Sequence, residues 1–321
     1  MTEAATSPDT TTAIPITVVL RSYNDAALLP RTLEALDAQA GVDVTLFAYE
    51  SASTDNSLEI LREFGCAHIE ELAPGSYQSS RVLNAGVDRA ATELVAFVNS
   101  DAILQHDQVL RQLADCLLAG DRRAGAFARQ IVRPDADALT RLEYDVAFEH
   151  RDQLGTDTAS WMTLVCSMIR RDAWRETPFD EAVTFAEDAI WSEQVAALGW
   201  TTHYVPEAIA EHSHDYTSSQ RYVRAYGDAA ALARIRSAPP SNRVIRGFLL
   251  PFAKRCLRDS LRLIKLGTPA AILRLPFHRW PQLLGEWRGA RDGWQHFHPA
   301  PGGPESENRE PTLQPLATSS R

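Results

Sequence analysis

Residues 16–24 read Ile16-Thr17-Val18-Val19-Leu20-Arg21-Ser22-Tyr23-Asn24, an apolar, β-branched run that stops abruptly in a polar cluster. A short run of this kind is what a strand buried on both faces requires. The same design recurs downstream. Residues 44–49 form a second run that ends in Glu50-Ser51-Ala52-Ser53-Thr54-Asp55, and residues 94–98 a run that ends in Asn99-Ser100-Asp101. Residues 201–205 form another, with Glu211-His212-Ser213-His214 beyond it. Helical spacing fills the gaps. Leu29, Leu33 and Leu36 lie on one helical face, with Pro30 tolerable in a first turn. Asn56 and Glu59 stand at capping-box separation among Leu58, Ile60 and Leu61. A weaker strand over 67–71 and a helix over 79–90 complete a βαβα order. That order predicts an α/β domain with a mainly parallel sheet flanked by helices. Ligands in such sheets lie beyond the carboxyl ends of the strands. The four polar clusters are therefore the candidate site.

Further along, a strand over 163–169, a helix over 187–198 and the 201–205 strand extend this domain, predicted over 14–220. From 221 to 298 the sequence is basic and helical in pattern, interrupted by Pro239-Pro240, Pro269, Pro276 and Pro281. Residues 1–13 are polar and Thr/Ala-rich, and 299–321 are rich in Pro, Gly, Ser and Glu. Both ends are predicted to be disordered.

The formal net charge of −10 hides an asymmetry: residues 1–220 carry 15 Lys+Arg against 35 Asp+Glu, and residues 221–299 carry 15 against 4. The acidic part would repel a phosphate backbone, which argues against a nucleic-acid partner. The basic part suits an anionic surface. Cys66, Cys116, Cys166 and Cys256 are scattered without a CxxC pair, which argues against a disulfide framework or a structural zinc site and fits a reducing cytosol. Residues 1–13 lack the features of a signal peptide, and no apolar run approaches the roughly 20 residues of a spanning helix. The expected location is cytoplasmic. Neither GxGxxG nor a Walker A loop is present, and HExxH and GxSxG are absent too, so dinucleotide, kinase and hydrolase chemistry have no support.

Asp101 follows an apolar strand directly and has no basic neighbour in sequence. A carboxylate so placed can hold the divalent cation that screens a departing diphosphate, or simply form a turn. Glu50 and Asp55 can accept hydrogen bonds from a base or ribose, or cap the turn and helix around them. Glu187-Asp188 opens the helix that carries Trp191, Val195 and Leu198, where the macrodipole favours negative charge. A carboxylate there can equally deprotonate an acceptor hydroxyl. His212 and His214, two apart in an extended segment, face the same side, and imidazoles bind Mn²⁺ more readily than Mg²⁺.

Taken together, these clusters resemble family 2 glycosyltransferases of the GT-A nucleotide-sugar-binding fold. The similarity is closest to the rhamnosyltransferase-like members that build bacterial surface polysaccharides. It spans about residues 14–216, with the pieces in the family's order. Val18 to Asn24 looks like the opening strand and its Tyr-Asn turn. Tyr49-Glu50-Ser51-Ala52-Ser53-Thr54-Asp55-Asn56-Ser57 looks like the segment usually written Asp-Ser-Gly-Ser-Thr-Asp-Gly-Ser. Arg81-Val82-Leu83-Asn84-Ala85-Gly86 is similar to the helix that lines the donor site, and Asn99-Ser100-Asp101 takes the place of Asp-X-Asp.

The resemblance implies an inverting, metal-dependent transfer from a UDP- or dTDP-sugar to a hydroxyl of a glycan or lipid-linked glycan. It assigns donor binding to Arg21, Tyr23, Asn24, Glu50, Ser53, Asp55, Arg81, Asn84, Asn99 and Ser100. It assigns Mn²⁺ or Mg²⁺ to Asp101 with His212 or His214, and the base to Asp188 beside Glu187. The chain departs from the pattern in three places. Asn99 replaces the first aspartate of Asp-X-Asp, Glu50 and Ala52 replace the usual Asp and Gly, and the Gln-x-x-Arg-Trp signature of processive synthases is missing.

Two alternatives stand beside this reading. A sugar nucleotidyltransferase would need a Gly-rich, Arg-containing first loop, and Arg21-Ser22-Tyr23-Asn24 has no Gly. A glycosyltransferase-like scaffold would have lost its metal through Asn99. Residues 243–291 interleave Arg and Lys with Phe248, Phe252, Leu257, Leu261, Trp280 and Trp287. Such a segment suits an anionic membrane surface on the inner leaflet, and it suits equally well packing on the acidic domain or on a second subunit.

Overall fold

The computed structural model describes residues 13–154 and 161–299, so the ends expected to be disordered lie outside it apart from residues 13 and 299. The first half runs β1 (Ile14–Ser22), α1 (Leu29–Asp37), β2 (Val42–Glu50), α2 (Ser57–Phe64), β3 (His68–Glu71), α3 (Ser79–Arg89), β4 (Leu94–Asn99), β5 (Ile103–Leu104), α4 (Val109–Leu118) and β6 (Arg123–Ile131). The second runs α5 (Ala138–Leu154), β7 (Cys166–Arg170), α6 (Arg171–Glu176), α7 (Glu187–Ala197), β8 (Thr201–Glu211), α8 (Ser218–Leu232), α9 (Leu250–Lys265) and α10 (Leu275–Phe297). Two compact units result: residues 1–131, 151–179 and 194–212 form the first, and 132–150, 180–193 and 213–321 the second. This division is not the linear one drawn at residue 220, since 132–150 and 180–193 group with the later helices.

The first unit holds an eight-stranded sheet in the order β3-β2-β1-β4-β7-β6-β8-β5. Strands β1 to β4 pair in parallel, as the βαβα reading requires. The sheet is mixed rather than mainly parallel, because β7 runs antiparallel to both β4 and β6 and β5 antiparallel to β8. Alternation along β1 sorts its side chains by face. Ile16, Val18 and Leu20 join the main core with Leu33 and Leu36 of α1 and Leu110, Leu113 and Leu117 of α4. Val19 points the other way, onto α3, where a Cβ built on Gly86 would lie 2.6 Å from a Val19 methyl. Gly86, in the motif that resembles the donor-site helix, is thus a close-approach residue between helix and sheet. Gly86→Ala should cost about 1–3 kcal/mol by overpacking. In urea unfolding, the Gly86→Ala/Val19→Ala double variant should lose less than the sum of the single losses, by about 1 kcal/mol.

Sequence reading missed α4 and β6 and cut β8 short. Strand β6 is Arg-Ala-Gly-Ala-Phe-Ala-Arg-Gln-Ile, with few β-branched residues, so its place in the sheet comes from burial between β7 and β8 and not from propensity. Strand β8 continues through Pro206 because its pairing with β6 jumps from Ala128↔Val205 to Arg129↔Ile209. The irregularity takes up the residue that cannot donate to the ladder.

The second unit is helical where it is described, apart from its connecting segments. Pro276 enters α10 at its first turn, as proline tolerates, but the helix also runs on through Pro281, which the sequence pattern marks as an interruption. Its later turns are held by close packing on α8. Cβ atoms on Gly285, Gly289 and Gly293 would lie 2.5, 2.1 and 2.3 Å from the carbonyl oxygens of Tyr222, Tyr226 and Ala230. Arg279 is buried, donates through Nε to Asp259 at 2.8 Å, and also binds Glu143 and Gln282. Leu139, Leu142, Leu263 and Leu275 form a small apolar core around α5, α9 and α10.

Candidate active site

In the first unit the carboxyl ends of β1, β2 and β4 stand in register, with Arg21 opposite both Tyr49 and Asn99 and Ser22 opposite Glu50. The chain then leaves each strand through a strained or tightly tied loop. Asn24 has φ +53° and Ala52 φ +58°, in the left-handed region that favours glycine. The backbone at Ala52 explains why the resembling motif carries Gly there. Non-glycine residues held in this region concentrate at functional sites.

The two loops are laced together. The amides of Asn24, Asp25 and Ala26 donate to Ser53 Oγ (2.9 Å), Ser57 Oγ (3.0 Å) and Asp55 Oδ2 (3.0 Å). In return the Thr54 amide donates to Asn24 Oδ1 at 2.8 Å. Asp55 also accepts from the Ser57 amide and hydroxyl, and Asn56 makes no side-chain cap bond, so Asp55 takes the helix-start role expected of Asn56. Burial raises the Asp55 carboxyl, but the Ser57 hydroxyl and the Ala26, Ser57 and Asp55 amides more than offset it, leaving it below the ordinary range. Glu50 is buried and accepts from the amides of Ala52 (3.0 Å) and Ser53 (2.8 Å). Glu50, Ser53 and Asp55 therefore build the loops whose edge Tyr23 (43% exposed) occupies.

Arg21 reaches from β1 to three neutral oxygens: Ser79 Oγ at 3.1 Å, Leu164 O at 3.0 Å and Asn99 Oδ1. Asn99 thus serves as a partner for Arg21, and because it is neutral the guanidinium charge is not cancelled there. Asn84 lies in α3, but its side chain is engaged elsewhere. It donates to Phe179 O (2.8 Å) and accepts from Trp174 Nε1 (2.9 Å) and the Phe179 amide (3.0 Å), which clamps the segment after α6. Arg81 is exposed in the first turn of α3, where its amide is capped by Gln78 Oε1 at 2.6 Å.

Ser100 and Asp101 are both buried just after β4. The Ser100 hydroxyl donates to Asp25 Oδ2. Asp25 was not singled out by sequence, although its position directly after Tyr23-Asn24 at a strand end was a usable signal. Burial raises its carboxyl, the Ser100 bond lowers it, and the nearby Asp101 charge raises it again, for a net upward shift. Asp101 Oδ1 stands 3.6 Å from His212 Nε2 at the end of β8. One ligand atom each from Asp101, His212 and His214 lies within 4.8 Å of the others. Adjacent ligands of an ion bound at about 2.1 Å stand about 3 Å apart, so a small contraction would satisfy a divalent cation. One carboxylate and two imidazoles fit the donor set of Mn²⁺ better than that of Mg²⁺.

Glu187 and Asp188 belong to the second unit and form the first turn of α7, following Ala186 at φ +54°. Asp188 Oδ1 accepts from the Ala189 amide at 2.8 Å. Arg224 and Asp228 of α8, absent from the sequence reading, interact electrostatically with Glu187. Burial pushes the Asp228 carboxyl up to about 6, with Arg224 opposing and Glu187 and Glu286 adding to the rise. A carboxyl raised in the fold stabilises below its unfolded pKa and loses that stability as pH rises through the folded value. Asp228→Asn should therefore unfold in urea with a free energy roughly 1–2 kcal/mol above wild type at pH 8, and the gain should vanish near pH 4.

Residues 14–227 match the family described as glycosyltransferase like family 2. This chain is a family 2 glycosyltransferase. Among curated relatives, the enzyme is 23% identical over 224 residues to the O-antigen chain rhamnosyltransferase RfbN of Salmonella typhimurium, covering 65% of this chain and 69% of that protein. It is 24% identical over 221 residues to the O-antigen chain rhamnosyltransferase WbaN of Salmonella anatum, with the same coverage of 65% and 69%. In fold, the glycosyltransferase resembles the mannosyltransferase PcManGT of Pyrobaculum calidifontis, solved with GDP-Man and Mn²⁺ (TM-score 0.57, 19% identity, 90% of this chain and 89% of that one). It also resembles glucosyl-3-phosphoglycerate synthase of Mycobacterium tuberculosis, solved with Mn²⁺, UDP and glucosyl-3-phosphoglycerate (TM-score 0.51, 18% identity, 71% and 82%). The fold is of the GT-A type.

Proposed function

We propose that this glycosyltransferase moves a sugar from a UDP- or dTDP-sugar to a hydroxyl of a glycan or lipid-linked glycan, with inversion at the anomeric carbon, in the assembly of a surface polysaccharide. The grouping of Asp101, His212 and His214 carries the reading, since it supplies the cation ligands that a departing diphosphate requires. The two O-antigen rhamnosyltransferase relatives support the polysaccharide setting. Among the described residues no helix is long and apolar enough to cross a membrane. As part of the same proposal, the reaction takes place at the cytoplasmic face, where a lipid-linked acceptor would be presented.

Asp101, His212 and His214 would hold Mn²⁺ or Mg²⁺, which when bound neutralises charge developing on the diphosphate. Arg21, which donates to the neutral oxygens of Ser79 in α3, Asn99 in β4 and Leu164 ahead of β7, directs its charge toward the same anion. Tyr23, Asn24 and the Glu50–Asp55 loop shape the seat of the nucleoside, and Ser100 fixes Asp25 beside it. Arg81 remains assigned to the donor, whereas Asn84 acts by holding the segment after α6. Asp188 takes the proton from the acceptor hydroxyl as that oxygen attacks the anomeric carbon and the sugar–phosphate bond breaks. The scaffold alternative draws on Asn99, and Asn99 has a positive role here as the acceptor for Arg21. Titration of Mn²⁺ by electron paramagnetic resonance, with and without UDP or dTDP, tests the site. Wild type should sequester Mn²⁺ in the presence of nucleotide, and Asp101→Ala or His212→Ala should weaken this at least about tenfold. Equal binding by all three proteins would remove these residues from the centre.

A further inference from the structure

The second unit exposes more apolar surface than a water-facing helical unit needs. Eleven of the eighteen exposed large apolar side chains among the described residues fall within residues 244–280. On α9, Leu250 (48% exposed), Leu257 (66%), Leu261 (55%) and Ile264 (57%) fall on one side by 3.6-residue geometry, while Asp259 and Leu263 of the opposite side are buried. Beyond the helix, Leu273 and Phe277 are 81% and 77% exposed. Exposed Lys254 and Lys265 flank the stripe, and the one acidic residue in 244–280 is the buried Asp259.

We propose that residues 244–280 dock the protein on an anionic phospholipid bilayer, with the α9 leucine stripe in the acyl boundary and the lysines among the headgroups. Both requirements of this surface are met by such a bilayer: apolar side chains leave water and positive charge meets negative. A second copy of the chain would bring the same basic rim against this one, where like charges repel. The assignment builds on the reading of a lipid-linked acceptor, but its test does not pass through catalysis.

The experiment is flotation of the full chain with phosphatidylcholine vesicles, with and without phosphatidylglycerol. It compares wild type with Leu257→Ser/Leu261→Ser and with Lys254→Glu/Lys265→Glu. Wild type should float with phosphatidylglycerol vesicles and less so at high salt, and each double variant should partition at least about tenfold more weakly. Because the replaced side chains are exposed, Tm and turnover of a nucleotide-sugar in solution should be unchanged. No flotation of wild type, or equal flotation of all three proteins, overturns the proposal. It is also overturned if the leucine variant instead converts a dimer to a monomer in light scattering, since the face would then be a subunit contact. Flotation that persists in a protein without turnover would leave the docking surface standing and sink the catalytic reading.

Discussion

Replacing Asp188 by Asn is expected to lower kcat for donor turnover by about 10²–10⁴-fold, the usual contribution of a general base. The substitution is chosen to separate chemistry from folding. Asp188 Oδ1 accepts from the Ala189 amide at the start of α7, and the amide oxygen of Asn can do the same, so the helix start is kept. What is lost is the oxygen able to take the acceptor proton. The free energy of unfolding should stay within about 1 kcal/mol of wild type, and Mn²⁺-dependent nucleotide binding should be unchanged. Glu187→Gln should act differently. Glu187 faces Arg224 and Asp228, so its loss should be felt mainly in stability, with less than about tenfold in kcat. Steady-state kinetics with the donor, split into kcat and KM, checks both. An Asp188→Asn enzyme with wild-type kcat would remove Asp188 as the base.

Replacing Gly289 in α10 should have the largest effect on stability. The added Cβ would meet the Tyr226 carbonyl oxygen at 2.1 Å, and that atom is backbone, unable to turn aside as a side chain can. The helices α8 and α10 would have to separate along their length, which also disturbs Gly285 and Gly293 on the same line. Gly289→Ala should cost about 3 kcal/mol, toward the upper end for overpacking, and Gly289→Val more. Exposed Arg288, one residue earlier, serves as control: Arg288→Ala should stay within about 0.5 kcal/mol. Urea denaturation of the three variants measures the difference.

Much of this could be read from the sequence, and the exceptions share a cause. Strands β1 and β4 and helices α3 and α7 were found because an apolar run or a helical period is a local signal. Strand β6 was not, because its Ala and Gly residues owe their place to neighbours far along the chain. The second half of β8 was hidden by Pro206, whose effect is cancelled by an irregularity in pairing with β6. In the site, the end of β4 and the His212–His214 pair were visible as residue types at strand ends. That Asn99 accepts from Arg21, and that Asn84 clamps Trp174 and Phe179, depends on partners 78, 90 and 95 residues away. Arg224 and Asp228 are polar residues of an ordinary-looking helix, and nothing local marks them as neighbours of Glu187. The four-residue spacing of Gly285, Gly289 and Gly293 was present in the sequence as a signal of close helix approach.

The most direct test of metal-dependent sugar transfer is turnover of a panel of UDP-, dTDP- and GDP-sugars by the purified protein, with Mn²⁺, Mg²⁺ or EDTA, beside Asp101→Ala. Slow hydrolysis of one UDP- or dTDP-sugar is expected, fastest with Mn²⁺ and lost both in EDTA and in Asp101→Ala. Turnover that persists in EDTA, or that is untouched by Asp101→Ala, would contradict the account.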